Sequence, residues 1–217
     1  MHLKLILLAL GALVAGAVQA ELRIVITEGV ARAVPIAVVP FGWSAGGSVP
    51  LDVAGVVAAD LQRSGRFAPM DRDDMLERPV TGNEVDFEDW RLLGTDVIVI
   101  GQLIPEADDT YTIQFQVFDV FRGEQLLGFQ LPSTGAALRA SAHKVSDMIF
   151  EELTGIPGAF STRIAYVSVE GEGPSRRYKL IVADADGENP STIAESPASI
   201  LSPAWSPDGR RLAYVSF

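Results

Sequence analysis

The side chains best suited to chemistry are a serine, a histidine and two candidate aspartates. Residues 42–46 have the sequence GWSAG, which fits the G-x-S-x-G turn that presents a nucleophilic serine in α/β-hydrolases. Asp96 or Asp119, followed by His143, would complete the chain order serine, aspartate, histidine. Such a turn needs a helix directly after the serine, whereas residues 46–50 are GGSVP, and His143 falls inside a predicted helix. We therefore predict a glycine-rich surface loop and no catalytic residue.

Carboxylates are concentrated in residues 184–189, which have the sequence DADGEN and resemble the start of a calcium-binding loop. An EF-hand loop has glycine at its sixth position and glutamate at its twelfth, between two helices. Here the glycine is fourth and no flanking helix is predicted, so we expect the turn of a β-hairpin. We also expect no metal and no cofactor, because the chain has no Cys and only His2 and His143 could supply imidazole.

The composition limits the classes of partner. The chain has 217 residues, with 17 Lys and Arg against 28 Asp and Glu, which gives a formal net charge of −11. This balance argues against nucleic acid as a partner, because phosphate binding requires clustered Lys and Arg. Hydrophobic residues make up 48% of the chain, a value typical of a globular protein with a packed core.

The first twenty residues are predicted to be a secretory signal peptide. Lys4 precedes an apolar stretch over residues 5–18, and Val18 and Ala20 are small residues at the positions that signal peptidase recognises. We expect cleavage between Ala20 and Glu21, with an uncleaved N-terminal anchor as the alternative. No Cys is present for lipid attachment, and no later apolar stretch reaches about 18 residues. The processed protein is therefore expected to be exported without direct membrane insertion.

Hydrophobic periodicity over residues 34–155 predicts a small α/β domain with a mixed sheet. The predicted element order is β-α-β-α-β-β-β-α. The strands are predicted at Val34–Phe41, Arg66–Met70, Thr95–Ile104, Tyr111–Val117 and Leu126–Leu131. The helices are predicted directly after Asp52 as N-cap, at Phe87–Leu93, and at Leu138–Leu153 with Gly155 as its stop.

The remaining residues contain an internal repeat. RIAYVS at residues 163–168 returns as RLAYVS at residues 211–216, an offset of 48 residues. A period near 45 with strands between the copies is typical of β-propeller blades. The sequence SPDG at residues 206–209 predicts a tight turn before the second copy, and Trp205 is expected to pack between blades. Residues 163–217 would hold one blade and the start of the next. Because about four to eight blades close a ring, we expect the chain to be part of a longer protein.

Several segments together resemble the TolB family of the Tol–Pal envelope system of Gram-negative bacteria. They are LRIVITEGV after the signal peptide, PIAVVPF with Trp43, VVAADLQRSGRFAPMDR, LTGIPGAFSTRIAYV and LSPAWSPDGRRLAYVSF. The resemblance implies an α/β N-terminal domain and a six-bladed propeller, of which this chain would hold the beginning. It also implies a non-enzymatic periplasmic protein that supports outer-membrane integrity, and outer-membrane invagination during cell division.

The resemblance further implies two partners, TolA in the inner membrane and the peptidoglycan-associated lipoprotein Pal. TolA is expected to bind the mature N-terminal segment, which we call the N-terminal arm. The arm consists of Glu21, Leu22, Arg23, Ile24, Val25, Ile26, Thr27, Glu28, Gly29, Val30, Ala31 and Arg32. A β-prone chain end of this kind can add to the sheet edge of a partner. The alternative is that residues 22–27 form the first strand of the protein's own sheet. Pal is expected to bind mainly on the propeller, beyond Phe217.

These expectations divide the chain into a signal peptide (1–20), the segment with the N-terminal arm (21–33), the α/β domain (34–155), a linker (156–162) and an incomplete propeller (163–217). A competing hypothesis is an exported peptidase of the prolyl-oligopeptidase type, whose propeller also uses S-P-D-G turns. That hypothesis would require a true nucleophile turn and a hydrolase domain beyond the propeller.

Overall fold

The structure, a computed structural model, describes residues 32–217. The expected signal peptide, its cleavage site at Ala20 and Glu21, and the N-terminal arm from Glu21 to Ala31 lie outside the described residues. Only Arg32 of the arm is described, as an exposed residue directly before the first strand. Within residues 32–217, no helix combines the length and the apolar character needed to cross a bilayer.

The α/β domain is built on a mixed sheet, as the sequence predicts, with six strands where five were predicted. Its strands are β1 (Val34–Val38), β2 (Gly42–Trp43), β3 (Phe67–Pro69), β4 (Val97–Pro105), β5 (Thr110–Asp119) and β6 (Glu124–Thr134). The strand order is β3-β1-β4-β5-β6, with the short β2 paired to β4. β1 is parallel to β3 and to β4, and β2 is parallel to β4, whereas the β4–β5 and β5–β6 pairs are antiparallel.

Three helices complete this domain: α1 (Val53–Arg63), α2 (Phe87–Leu92) and α3 (Leu138–Thr154). The predicted N-cap of α1 is confirmed, because the Asp52 carboxylate accepts a hydrogen bond of 2.9 Å from the Gly55 amide. The predicted end of α3 is confirmed as well, since Gly155 follows it with a φ of 69°. Glycine tolerates this left-handed conformation without the steric penalty of a Cβ.

The central strands β1 and β4 of the sheet are covered on both faces. Alternate residues of the central strands pack against α1 and α3 on one face, among them Ile36, Val38, Val97 and Val99. The residues between them, Ala37, Ile98 and Ile100, pack against Trp90 of α2 on the other face. This burial explains why β4 begins as the continuous apolar run VIVI, whereas β5 alternates polar and apolar residues.

Two strands, β1 and β6, end three residues away from their predicted last residues, and the other strand boundaries lie within two residues of the prediction. The strand predicted over residues 34–41 ends at Val38, and pairing resumes two residues after Pro40 as β2. Proline has no amide hydrogen to donate to a ladder, which accounts for the interruption. β6 extends beyond the predicted Leu126–Leu131 at both ends, because its polar residues continue to pair with β5.

Residues 163–217 consist of strands. β7 (Arg163–Glu170), β8 (Arg177–Asp184) and β9 (Ser191–Ser196) form an antiparallel three-stranded sheet, which we call the first blade. β10 (Ile200–Trp205) and β11 (Leu212–Ser216) form a separate antiparallel pair. The two copies of the repeat fall in β7 and β11, as expected for successive blades. The predicted S-P-D-G turn is present, with Gly209 at a φ of 66° and the Arg211 amide donating to Ser206 Oγ at 2.9 Å.

Candidate functional site

The serine, histidine and aspartate considered for catalysis are not brought together. Ser44 is exposed in the loop after β2, a loop that Trp43 closes by donating a hydrogen bond to the Gly46 carbonyl at 3.1 Å. The next helix begins nine residues after Ser44, at Val53, so no helix N-terminus lies behind the serine. His143 is buried in the middle of α3 and pairs with Asp60, not with either candidate aspartate. The prediction of a surface loop is therefore confirmed.

The acidic segment at residues 184–189 forms the turn between β8 and β9, as predicted. The Gly187 amide donates to the Asp184 carbonyl, and the Asp184 amide donates to the Glu188 carbonyl, both at 2.9 Å. Asn189 Nδ2 donates to the Asp184 carboxylate at 2.7 Å. Hydrogen bonds within the segment itself therefore stabilise the hairpin turn. The position of the Asp186 carboxylate, which reaches back to the α/β domain, was not predicted.

One face of α3 carries three ionisable residues at four-residue intervals: Arg139, His143 and Asp147. Residues four apart lie one above the other on a helix, so this spacing forms a polar stripe along α3. Each of the three side chains contacts a segment outside the helix. The stripe therefore contacts the first blade through Arg139, α1 through His143 and the linker through Asp147.

His143 is the centre of a chain of five charged or titratable side chains, which we call the ionic chain. Its members, in spatial order, are Arg63, Asp60, His143, Asp186 and Arg139. Arg63 donates to one Asp60 oxygen at 2.6 Å, and His143 Nδ1 lies 2.7 Å from the other. His143 Nε2 lies 3.5 Å from an Asp186 oxygen, to which Arg139 also donates a hydrogen bond. The chain joins α1, α3 and the turn of the first blade.

Burial makes this arrangement electrostatically significant. Asp60 and His143 are each 1% exposed, and a charge in such a position is stable only when it is paired. The hydrogen bond with Asp60 raises the pKa of His143; burial opposes this shift, and the nearby carboxylates of Asp60 and Asp186 reinforce it. Burial works against ionisation of Asp186, but the hydrogen bond from Arg139 prevails and lowers the pKa of that carboxyl.

Asp60, His143 and Asp186 also offer three ligand atoms close enough together to hold a metal ion. Both carboxylates, however, already accept charge-assisted hydrogen bonds from guanidinium groups, Arg63 on one side and Arg139 on the other. A divalent metal ion between them would add two positive charges to a network in which two guanidinium groups already balance the two carboxylates. The cluster is therefore an ion-pair network that joins two domains, and we do not interpret it as a metal site.

The third residue of the stripe, Asp147, fixes the linker. Its carboxylate accepts hydrogen bonds from the amides of Phe160 at 2.7 Å and Ser161 at 3.3 Å, and from the Ser161 hydroxyl. Gly158 lies so close to α3 that a Cβ built there would be 2.5 Å from the Asp147 Cα. Phe160 also packs edge-to-face on Phe150 of α3, with ring centroids 5.6 Å apart. The chain therefore leaves α3 along one defined path.

Two family models match the chain in succession. The model described as the TolB amino-terminal domain matches residues 22–126, and the model described as the TolB beta propeller domain matches residues 150–217. The chain belongs to the TolB family. The order of the two matches agrees with the α/β domain followed by blade strands in the structure.

Curated relatives and a solved structure agree with this assignment. Tol-Pal system protein TolB of Thioalkalivibrio sulfidiphilus is 52% identical over 200 residues, which cover 92% of this chain and 46% of that protein. The protein of the same name from Methylococcus capsulatus is 49% identical over 203 residues, which cover 94% of this chain and 47% of that protein. The crystal structure of TolB from Acinetobacter baumannii has a TM-score of 0.74 at 40% identity, covering 85% of this chain and 44% of that chain. This TolB-family chain thus spans about half the length of the relatives that it matches.

Proposed function

We propose that this chain acts in a periplasmic Tol–Pal system as a binding component without enzymatic activity. The observation that carries the proposal is the succession of a TolB amino-terminal domain and a TolB propeller segment on one chain. Relatives at 49–52% identity that carry the name Tol-Pal system protein TolB support it. In that system the protein would contribute to outer-membrane integrity, and to invagination of the outer membrane during cell division.

We propose TolA as the partner of the N-terminal arm, residues 21–32. The place of the arm in the sequence, directly before β1, supports this assignment. β1 begins at Val34, two residues after Arg32, and is already paired on both sides, with β3 and with β4. A segment that precedes β1 therefore is not required as a neighbour for that strand. Its own backbone groups would be available to a partner's sheet edge.

Pal is proposed as the second partner, bound mainly through propeller segments that follow Phe217 in longer relatives. The blade strands described here would contribute to the ring that carries this site. Processing after Ala20 and the domain boundaries given above are part of the same proposal.

The competing peptidase hypothesis is not favoured. Its nucleophile turn would have to be the loop at Ser44, where no helix follows and no histidine is adjacent. The propeller match is to the TolB beta propeller domain. A chromogenic peptide assay on the full-length protein would contradict the proposal if it revealed turnover that Ser44→Ala abolishes.

The decisive experiment is a titration of the purified mature protein with the TolA C-terminal domain, in which isothermal calorimetry measures the affinity. Deletion of residues 21–32 should abolish binding and leave the melting temperature unchanged, because β1 and the helices that cover it are untouched. Replacing Ile24 and Ile26 together with Asp should weaken binding nearly as much, because both belong to an alternating apolar pattern that would share one face if the arm pairs as a strand.

The matched control is Leu76→Asp together with Leu92→Asp, which places the same two charges on apolar residues that are 72% and 81% exposed elsewhere on the α/β domain. This variant should bind TolA like the unaltered protein. Unchanged affinity after deletion of the arm would reject the assignment of TolA to this segment. Lost affinity together with a collapsed melting curve would favour the alternative, in which residues 22–27 are a structural strand.

A further inference from the structure

Three structural elements meet at the imidazole of His143. Asp60 approaches from α1 and contacts Nδ1, and Asp186 approaches from the blade turn and faces Nε2. Arg139 lies one turn earlier on α3 and binds the same Asp186 oxygen that faces His143. Arg63 binds the far oxygen of Asp60. The other charged neighbours on α3, Asp147 and Lys144, are directed to the linker and to solvent respectively.

The two ring nitrogens of His143 differ in their hydrogen bonding. Nδ1 is within hydrogen-bond distance of the Asp60 carboxylate, which can only accept, so Nδ1 carries the proton in the neutral ring. In that tautomer Nε2 has a lone pair, and it faces the Asp186 carboxylate at 3.5 Å. Accordingly, Nε2 is buried without a hydrogen-bond partner among residues 32–217. Two acceptors face each other across the boundary between the domain and the blade.

Addition of one proton would remove this mismatch. A protonated Nε2 becomes a donor toward Asp186, and the imidazolium then bridges a carboxylate of the α/β domain and a carboxylate of the blade. With neutral His143, two carboxylates and two guanidinium groups balance. The contact across the boundary then depends on Arg139, whose side chain is 26% exposed. Partial exposure to water weakens this remaining ion pair.

We propose that His143 is a proton-operated latch that holds the first blade of the propeller against the α/β domain. The latch closes when Nε2 is protonated and relaxes when it is not. This device goes beyond the proposed function and does not depend on the identity of the partners.

The direction of the pH dependence follows from the raised pKa of His143. The folded protein holds the proton more tightly than an unfolded chain, in which the pKa is near 6.5. The contribution of the latch is therefore complete below about pH 6.5 and is lost as the pH rises through the higher value of the folded protein. The interface should be tightest in mildly acidic solution and looser in alkaline solution.

The test combines a titration with a distance measurement on the full chain. Because the sequence contains no Cys, Glu88→Cys in α2 and Glu172→Cys before β8 provide two exposed positions for spin labels. Double electron–electron resonance gives the distribution of distances between them, and NMR of the histidine ring gives the pKa of His143. We expect a narrow distribution below that pKa and a broader one above it, with both midpoints at the same pH.

His143→Gln should make the distance distribution independent of pH over the same range, since glutamine does not titrate. Asp186→Asn keeps the shape of the turn and removes the charge that faces Nε2. It should lower the pKa of His143 and broaden the distribution at acidic pH. Glu188→Gln is the matched control, because it removes a charge from the same turn at an exposed side chain. It should change neither measurement.

A distance distribution that stays the same on both sides of the His143 titration would overturn the proposal. An unchanged pKa of His143 in the Asp186→Asn variant would overturn it as well, because the Asp186 carboxylate would then not interact with the proton on Nε2. Circular dichroism establishes that each variant is folded, and Asp186→Asn still tests the latch if His143→Gln does not fold.

Discussion

The α/β domain and the blade strands bury their apolar residues to very different degrees. Both faces of the central strands are covered in the α/β domain, and its large side chains at the centre, such as Phe115 and Trp90, are at most 1% exposed. Among residues 163–217, the buried hydrophobic residues are Leu180, Val182, Ala183 and Ile200. Other apolar side chains of the blade strands are exposed to solvent, among them Val169 at 52% and Ile193 at 55%. One region encloses its own core, and the other presents apolar faces.

This difference shows how the two regions are stabilised. A domain with a closed core is stabilised mainly by contacts within itself, whereas a repeat is stabilised in large part by its neighbours. Stacking on a neighbouring blade would cover faces such as those of Val169 and Ile193. The boundary between the two regions is different again, since it is made largely of hydrogen bonds and ion pairs along α3. Polar contacts of this kind can be exchanged for contacts with water.

The largest expected effect distinguishes the two regions by replacing one aromatic residue with alanine in each of them. Phe115→Ala removes a fully buried ring from the face that α1 and α3 cover, and it should lower the free energy of unfolding by about 3–5 kcal/mol. Tyr166→Ala in β7, where the side chain is 37% exposed, should cost less than about 1.5 kcal/mol in this chain. Urea unfolding followed by circular dichroism measures both. Equal losses would contradict the contrast between a closed core and an open blade.

An intermediate effect is expected at the linker. Asp147→Ala removes the acceptor for the amides of Phe160 and Ser161, and hydrogen bonds to a charged group contribute about 1.5–3 kcal/mol. The free energy required for local opening of the linker should fall by a similar amount. Cleavage by chymotrypsin after Phe160 should therefore accelerate by about tenfold or more. The fragment that remains should be the α/β domain.

The control for this prediction is Glu151→Ala, one turn further along α3, where the side chain is exposed. It should leave the rate of cleavage unchanged. Rapid cleavage within the α/β domain instead, with the blade strands surviving, would contradict the view that this domain is the self-contained region.

Much of the fold was predictable from the sequence because local signals specify it. The apolar run VIVI, the N-cap at Asp52 and the stop at Gly155 each depend on residues within a few positions of one another. The repeat at residues 163 and 211 was visible by direct comparison of the two segments. The boundaries at Pro40 and in β6 were less predictable, since pairing with a partner strand decides them.

The ionic chain could not be predicted by the same reasoning. Asp60 and His143 are 83 residues apart in sequence, and Arg139 and Asp186 are 47 apart, so only the tertiary fold brings them together. Two signals were present. The four-residue spacing of Arg139, His143 and Asp147 marked a polar face on a helix, and Asp60 was a charge beside the apolar positions of α1. Neither signal identifies the partner.

The smallest expected effect belongs to an ion pair within the α/β domain alone. Arg72 donates to both oxygens of Asp52, at 2.7 and 2.9 Å, and both side chains are more than a third exposed. Burial opposes ionisation of Asp52, but the hydrogen bonds from Arg72 and from the Gly55 amide prevail and lower its pKa below 3.8. The stabilisation is present above about pH 3.8 and is lost as the pH falls through the lower folded value. Because water screens the pair, Arg72→Gln should cost less than about 1 kcal/mol at neutral pH.

The comparison of the two regions makes this small effect informative. Asp52 and Arg72 both lie in the α/β domain, so the stability lost on acidification through this pair should be the same in the full chain and in the proteolytic fragment that ends before β7. Arg72→Gln should reduce this acid-dependent loss in both, as measured by urea unfolding between pH 2 and pH 5. Arg78→Gln removes the same charge from an exposed residue nearby and should leave the loss unchanged. A different contribution of the Asp52–Arg72 pair in the fragment would contradict the energetic independence of the α/β domain. The polar boundary along α3 would then couple the stability of the two regions, although neither Asp52 nor Arg72 lies at that boundary.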